Sequence, residues 1–339
     1  MWLDLPAPAM AGFLAIGTGV AALIWSRHAD RRAEELAPAL GAFIEVAGTR
    51  FHYLDRGSGP PIVLIHGLGA QMRNFSYALL DRLADTHRVI LIDRPGSGYS
   101  TSAPDAYFGI IDQAASIAAL LDALDVRRSL IVGHSFGGAV ALALGLNHPE
   151  RVSGLALLAP LSQPVNGIPE GIAGWLAKAH GVRRFGARLA AFPISRLLAK
   201  RLRGNAFAPD PMPADFAEAG GMILALRSSN LATTAFEVAT INRDMLHLVG
   251  RYSELAVPIS VLFGRDDQVL DPAIHGELFA SGNSAVVLEL IPGGHMLPVT
   301  APEEIAAWIK RNCTRTAPES RGPTIRSAPS ASSGPGTWQ

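Results

Sequence analysis

A single serine stands in the run GHSFGG, residues 133–138, where a buried-strand stretch, Ser129 to Gly133, meets a helical pattern of small residues after Ser135. The hydrophobic period changes from that of a strand to that of a helix within two residues. Such a turn forces its central residue into a strained backbone conformation and leaves no room for side chains two positions to either side. Gly133 and Gly137 supply that room. The pattern G-x-S-x-G lifts the Ser135 hydroxyl above the sheet edge and aims the N-terminus of the next helix at it. A hydroxyl placed there is suited to nucleophilic acyl transfer, provided that a base can take its proton and a third group fixes the tautomer of that base.

Among ten histidines, only His295 follows a late strand on a glycine-rich turn, IPGGHM. The orienting carboxylate is expected between serine and histidine in chain order. GRDDQVLDP offers Asp266, Asp267 and Asp271, and the spacing does not choose among them. His134 adjoins the serine, but neighbouring side chains on a tight turn diverge, so it is expected to pack or hydrogen-bond nearby. An oxyanion needs two preorganised donors. The backbone N–H of Phe136 is one; the N–H of Leu68 in the turn LIHGLGA is the other, with His66 a structural residue of that turn. DRPGSGYS, Asp93 to Ser100, resembles a phosphate loop superficially, yet it has neither a Walker lysine nor G-x-G-x-x-G spacing, and it reads as loop geometry.

These turns need strands to carry them. Apolar runs at Ala42 to Val46, Arg50 to Gly57, PIVLIHG, RVILIDRPG, SLIVG, VSGLALLAP, ISVLFG from Ile259 and AVVLELIPG from Ala285 alternate with helical patterns. The helices fall near Phe75 to Ala84, Ile110 to Leu124, after Ser135, Pro272 to Ala280 and Pro302 to Arg311. Continuous apolar strands separated by helices predict a mostly parallel sheet covered on both faces. The alternation lapses between Leu161 and Glu254, where the pattern is helical, as expected of an insertion over the ligand crevice.

Lys and Arg together equal Asp and Glu, so no net field points to nucleic acid. Cys313 is the only cysteine, which excludes an intrachain disulfide and a Cys-rich zinc site, and no role is expected for it. Leu5 to Ser26 carries no charge and is long enough to cross a bilayer. Arg27, Arg31 and Arg32 behind it predict a single-pass anchor with the bulk of the protein on the cytoplasmic side. The resulting division is an anchor and linker over 1–41, a core over 42–160, a helical cap over 161–254, the rest of the core over 255–312, and a disordered tail over 313–339. Basic and apolar residues interleave from Lys178 to Arg203. That stretch suits either packing on the core with a solvated basic face or an element lying on an anionic leaflet.

The ordered set HGLG, DRPGSGYS, GHSFGG, GRDD and GGHM, spread over Ala42 to Arg311, resembles the α/β-hydrolase superfamily, in particular its serine-nucleophile, esterase-like members with a helical cap. The resemblance implies that the acid is the fourth residue of the G-x-x-D turn, Asp267, completing a triad of Ser135, Asp267 and His295 with Leu68 and Phe136 as oxyanion donors. Ser135 stands where dehalogenase and epoxide-hydrolase relatives use an aspartate, which argues against both of those chemistries. The implied function is hydrolysis of carboxylic esters without metal or cofactor, and the expected anchor beside the basic, apolar stretch makes a hydrophobic ester the expected substrate. Carbon–carbon bond hydrolysis of ring-cleavage products by the same residues is the alternative reaction, and a non-catalytic binding protein on this fold is the alternative class.

Overall fold

The computed structural model describes residues 7–102, 109–165, 204 and 206–316. Nine strands form one sheet: β1 (Ala42–Val46), β2 (Thr49–Arg56), β3 (Pro61–Ile65), β4 (Arg88–Ile92), β5 (Thr101–Ser102), β6 (Ser129–His134), β7 (Val152–Leu158), β8 (Ile259–Gly264) and β9 (Val286–Ile291). Their spatial order is β1-β2-β4-β3-β6-β7-β8-β9, with β5 pairing β2. From β4 to β9 every pairing along that path is parallel, and the antiparallel β1 and β2 close one edge. The central strands are continuous apolar runs because both faces are covered. On one face Ile110, Ile117 and Leu121 of the helix Ile110–Ala123 pack with Leu142 of the helix Phe136–Asn147. Phe75, Leu83, Ile305 and Trp308 cover the other.

Register brings the chemistry to one edge. Ile65 pairs with Gly133 on one side and with Ile92 on the other, so the turns after β3, β4 and β6 leave the sheet side by side. Gly264 pairs with Ile291, which sets the turns after β8 and β9 next to each other at the same C-terminal edge. Ligand crevices of open parallel sheets lie at this edge.

Three expectations are refined. The helix expected near Phe75 to Ala84 is two short helices, Arg73–Ser76 and Leu80–Ala84. The segment near Pro272 to Ala280 opens as a π-helical turn, Ala273–Glu277, before the helix Leu278–Ser281. The last helix runs from Pro302 to Thr316, so Cys313 lies within it, buried against the second core face, and burial pushes its thiol up to about 12. The tail expected to be disordered over 313–339 is helical over its first four residues, 313–316, and 317–339 lie outside the described residues, as do all of Lys178 to Arg203.

The transmembrane anchor requires correction. Ala7–Leu36 is one helix, but among the described residues no helix is long and apolar enough to cross a membrane. The helix does not end with the apolar stretch. It continues through Arg27, Asp30, Arg31, Arg32, Glu34 and Glu35, and its last turns dock on the core insertion. There Ala33 and Ala37 are buried with Leu224, Asp30 accepts hydrogen bonds from the Ser228 N–H (3.0 Å) and hydroxyl (2.7 Å), and Glu34 pairs with Arg227 at 2.9 Å. The predicted single-pass topology, and the cytoplasmic placement derived from it, have no support in this arrangement.

Among the described residues of the insertion there is no strand; its main element is the helix Ser228–Val249, hereafter the cap helix. Phe207 and Phe216 of the insertion pack on Met296 and Val299, just after His295.

Candidate active site

Ser135 sits at φ 56° and ψ −123°, a region that residues with a Cβ rarely occupy, between the end of β6 and the helix Phe136–Asn147. The fold overdetermines this strain. The Ser135 N–H donates to the Leu158 carbonyl at 3.0 Å, and the Ser135 carbonyl accepts from Gly138 (2.8 Å) and Leu161 (3.0 Å). A Cβ on Gly137 would lie 2.1 Å from the Ile65 carbonyl oxygen, and one on Gly133 would lie 2.5 Å from the Gly137 carbonyl oxygen. Both glycines are therefore steric necessities. The Ser135 residue is half-buried, and Phe136 carries the first N–H of the helix, which has no partner within it.

At the far end of the sheet, His295 Nδ1–H donates to Asp267 Oδ2 at 2.7 Å, and both side chains are buried. The other carboxylate oxygen, Oδ1, accepts the N–H groups of Val269 (2.8 Å) and Leu270 (3.0 Å). Burial works to raise the Asp267 carboxyl, but the His295 hydrogen bond and charge, with the two amides, outweigh it and hold it below the usual carboxylate range. The turn geometry resolves what spacing left open. Asp266 is exposed, and Asp271 is exposed and accepts the Ala273 N–H at 2.9 Å, so only Asp267 meets the histidine.

His134 joins the two halves. It is buried, its Nε2–H donates to the His295 carbonyl at 3.0 Å, and its ring lies 4.9 Å from that of His295. Burial first, and then the neighbouring His295, lower its pKa to about 3, so it is a neutral structural donor. Among the described residues no hydrogen bond joins the Ser135 hydroxyl to the His295 ring. The tautomer is nonetheless set: a histidine whose Nδ1–H is held by a carboxylate presents Nε2 as the free acceptor.

The turn after β3 lies against the serine, since a Cβ on Gly67 would sit 3.1 Å from Ser135 Cβ and 3.5 Å from its Oγ. His66 is buried beneath it, donating from Nδ1 to the Gly67 carbonyl (2.9 Å) and accepting the Arg94 N–H on Nε2 (3.0 Å). Burial, followed by the Arg94 charge, lowers its pKa to about 3, which suits the structural role expected of it. Because the Gly67 carbonyl is drawn toward His66 and Arg94, the Leu68 N–H of the same trans peptide points the opposite way. The Leu68 side chain is exposed.

DRPGSGYS is indeed a built loop. The buried Asp93 accepts hydrogen bonds from Met72 N–H (2.8 Å), Tyr99 N–H (2.7 Å) and His52 Nδ1–H (2.6 Å). What sequence reasoning missed is its neighbour. Arg94 is fully buried and paired with Glu237 of the cap helix, which is also fully buried. The signal was present: Glu237 and Asp244 fall seven apart on the face that buries Phe236, Ile241, Met245 and Leu248, and an acid on an apolar face demands a partner. Among the described residues no cluster of His, Cys, Asp and Glu could hold a metal ion.

The family model for the alpha/beta hydrolase fold matches residues 60–302. A dihydrolipoyllysine-residue acetyltransferase component of an acetoin cleaving system from Pseudomonas putida is 30% identical over 77% of this chain and 66% of its own length. A 2-hydroxymuconate semialdehyde hydrolase from Pseudomonas sp. (strain CF600) is 38% identical over 37% of this chain and 45% of its own. The chain thus spans less than two thirds of the length of either curated relative. Among solved structures, a thermophilic esterase from Thermogutta terrifontis superposes with a TM-score of 0.66 at 23% identity, covering 82% of this chain and 99% of the esterase, a likeness of fold alone.

Proposed function

The chain belongs to the α/β-hydrolase family, and from that premise we propose that it is a serine hydrolase of carboxylic esters, working through Ser135, His295 and Asp267. The observation that carries the proposal is the convergence, at one sheet edge, of a strained Ser135 with a buried Asp267–His295 pair fixed at 2.7 Å. Ser135 Oγ attacks the ester carbonyl carbon while His295 Nε2 takes its proton, and Asp267 stabilises the imidazolium so formed. The N–H groups of Leu68 and Phe136 receive the oxyanion. Collapse of the tetrahedral adduct expels the alcohol, which takes the proton from His295, and leaves an acyl group on Ser135. Water, deprotonated by the same histidine, then releases the acid and restores the serine. The serine–histidine hydrogen bond forms in the substrate complex, since such contacts are commonly long without substrate.

A second reaction uses the same groups. Hydrolysis of a carbon–carbon bond in a ring-cleavage product is favoured by the 38% identity to 2-hydroxymuconate semialdehyde hydrolase. A panel of 4-nitrophenyl esters of increasing acyl length beside a vinylogous ring-cleavage dienone separates the two. Ester turnover that depends on Ser135 is the expected result, and the panel reads out the acyl length preferred. Turnover of the dienone alone would transfer the assignment to carbon–carbon cleavage, and equal ester turnover by a folded Ser135→Ala protein would reject serine catalysis.

A further inference from the structure

We propose that Arg94 and Glu237 form a clamp by which the cap positions the oxyanion turn, making Arg94 a positioning residue for the reaction; this rests on the serine-hydrolase reading above. Arg94 distributes its donors over two layers of the protein. Toward the catalytic edge, Nε–H donates to the His66 carbonyl and Nη2–H to the Gly67 carbonyl, both at 2.9 Å. Away from it, Nη1–H donates to Gln113 Oε1 at 2.6 Å and to Glu237 Oε1, while Nη2 also reaches Glu237 Oε2 at 3.3 Å. Gln113 Nε2–H completes the set by donating to Glu237 at 2.9 Å. The guanidinium carbon lies 4.6 Å over the ring of Phe136, so the same side chain touches both turns that supply oxyanion donors.

The two carbonyls are the significant acceptors. The Gly67 carbonyl belongs to the peptide whose N–H is that of Leu68, and holding the oxygen inward fixes the N–H outward. A charged donor on the oxygen also polarises the N–H at the other end of that peptide. A buried ion pair is poor evidence of stability, because apolar residues of similar volume often serve as well. What apolar residues cannot do is hold two successive peptide planes, and a lysine, with one compact ammonium in place of a planar fork, cannot hold them together with Glu237. The cap helix meets the same two loops elsewhere: Thr233 donates to the Gly96 carbonyl at 2.9 Å, and Thr234 Oγ1 lies 3.6 Å from where a Gly69 Cβ would be. Displacing the helix therefore pulls on the oxyanion turn through Arg94.

The test uses the full chain, 4-nitrophenyl butyrate, and hydrogen–deuterium exchange of the peptides covering 66–70 and 228–249. Arg94→Lys should lower kcat about 10- to 100-fold with KM within about twofold, as expected when an oxyanion donor is misplaced and ground-state binding is not. Glu237→Gln should give a smaller loss of the same kind, and the double variant should lose little more than Arg94→Lys. In each variant exchange should quicken over 66–70 and 228–249 together. A folded Arg94→Lys protein with unchanged kcat, or one altered only in KM, overturns the clamp. If Arg94→Lys does not fold, Glu237→Gln decides: faster exchange confined to 228–249 overturns the proposal. Should the wild-type protein hydrolyse no ester, the functional reading fails separately, and joint exchange at the two segments still decides whether the cap holds the turn.

Discussion

The nucleophile turn and the oxyanion turn lie side by side at the ends of β6 and β3, yet opposite forces hold them. Ser135 is kept at φ 56° by sterics and by its own peptide hydrogen bonds, with glycines where any Cβ would meet backbone within 2.5 Å. The turn at Gly67 has local bonds too, from His66 and from the Ala70 N–H, but it adds charge brought from elsewhere, a buried guanidinium whose counter-ion sits 143 residues away on the cap helix. Local sterics fix where the Ser135 oxygen, the proposed nucleophile, stands. On the proposed mechanism, long-range charge helps to set where the developing negative charge is received. The serine turn meets the insertion only through the Leu161 N–H on the Ser135 carbonyl and the Arg94 guanidinium over Phe136, whereas on the clamp proposal the oxyanion turn is coupled to the cap through its own peptide groups.

Four substitutions or titrations sharpen that contrast. The largest effect is expected for Ser135→Ala, which should reduce ester turnover by about 10⁴-fold or more at an unchanged melting temperature, since binding and oxyanion donors alone leave only weak catalysis. Asp267→Asn keeps the shape but no longer selects the tautomer, and a fall of about 10³-fold in kcat is expected from steady-state kinetics. Gly137→Ala should act through the fold. Its Cβ would meet the Ile65 carbonyl oxygen at 2.1 Å, an overpacking that backbone must relieve, at about 3 kcal/mol in denaturant titrations.

The smallest effect is a pH slope. His66 and His134 stay neutral in the fold down to about pH 3, whereas the unfolded chain protonates histidine near 6.5. Between those values the unfolded state binds more protons, so stability falls as pH is lowered, by roughly 1.4 kcal/mol per pH unit for each histidine. Urea titrations between pH 6.5 and 5 should show this slope, and His134→Gln should remove one share of it. Asp267, held low in the fold, adds its loss only at more acidic pH, below the ordinary carboxylate value of 3.8.

The contrast also explains what was legible in the sequence. Ser135, Gly133, Gly137, the strands and the parallel sheet follow from periodicity and from the space a tight turn demands, and those are properties of neighbouring residues. His295 could be found because a late strand and a glycine turn mark it. Asp267 needed either a resemblance or the fold, because three aspartates within six residues differ only in where the turn after β8 aims them. Arg94 reads as part of a loop because its meaning lies in Glu237, and no local pattern links a loop arginine to a helix acid so far along the chain. The anchor misled for a related reason. An uncharged run is equally a local signal, and it says nothing of the Asp30 and Glu34 contacts that dock the end of the same helix.

The most direct test of the central claim is rapid-quench mass spectrometry of the full chain during turnover of a 4-nitrophenyl ester, followed by peptide mapping. Serine catalysis predicts a transient mass increase of one acyl group, located on Ser135 and lost on further incubation. An acyl group mapped to any other residue, or undiminished turnover by folded Ser135→Ala protein with no adduct at all, would contradict it.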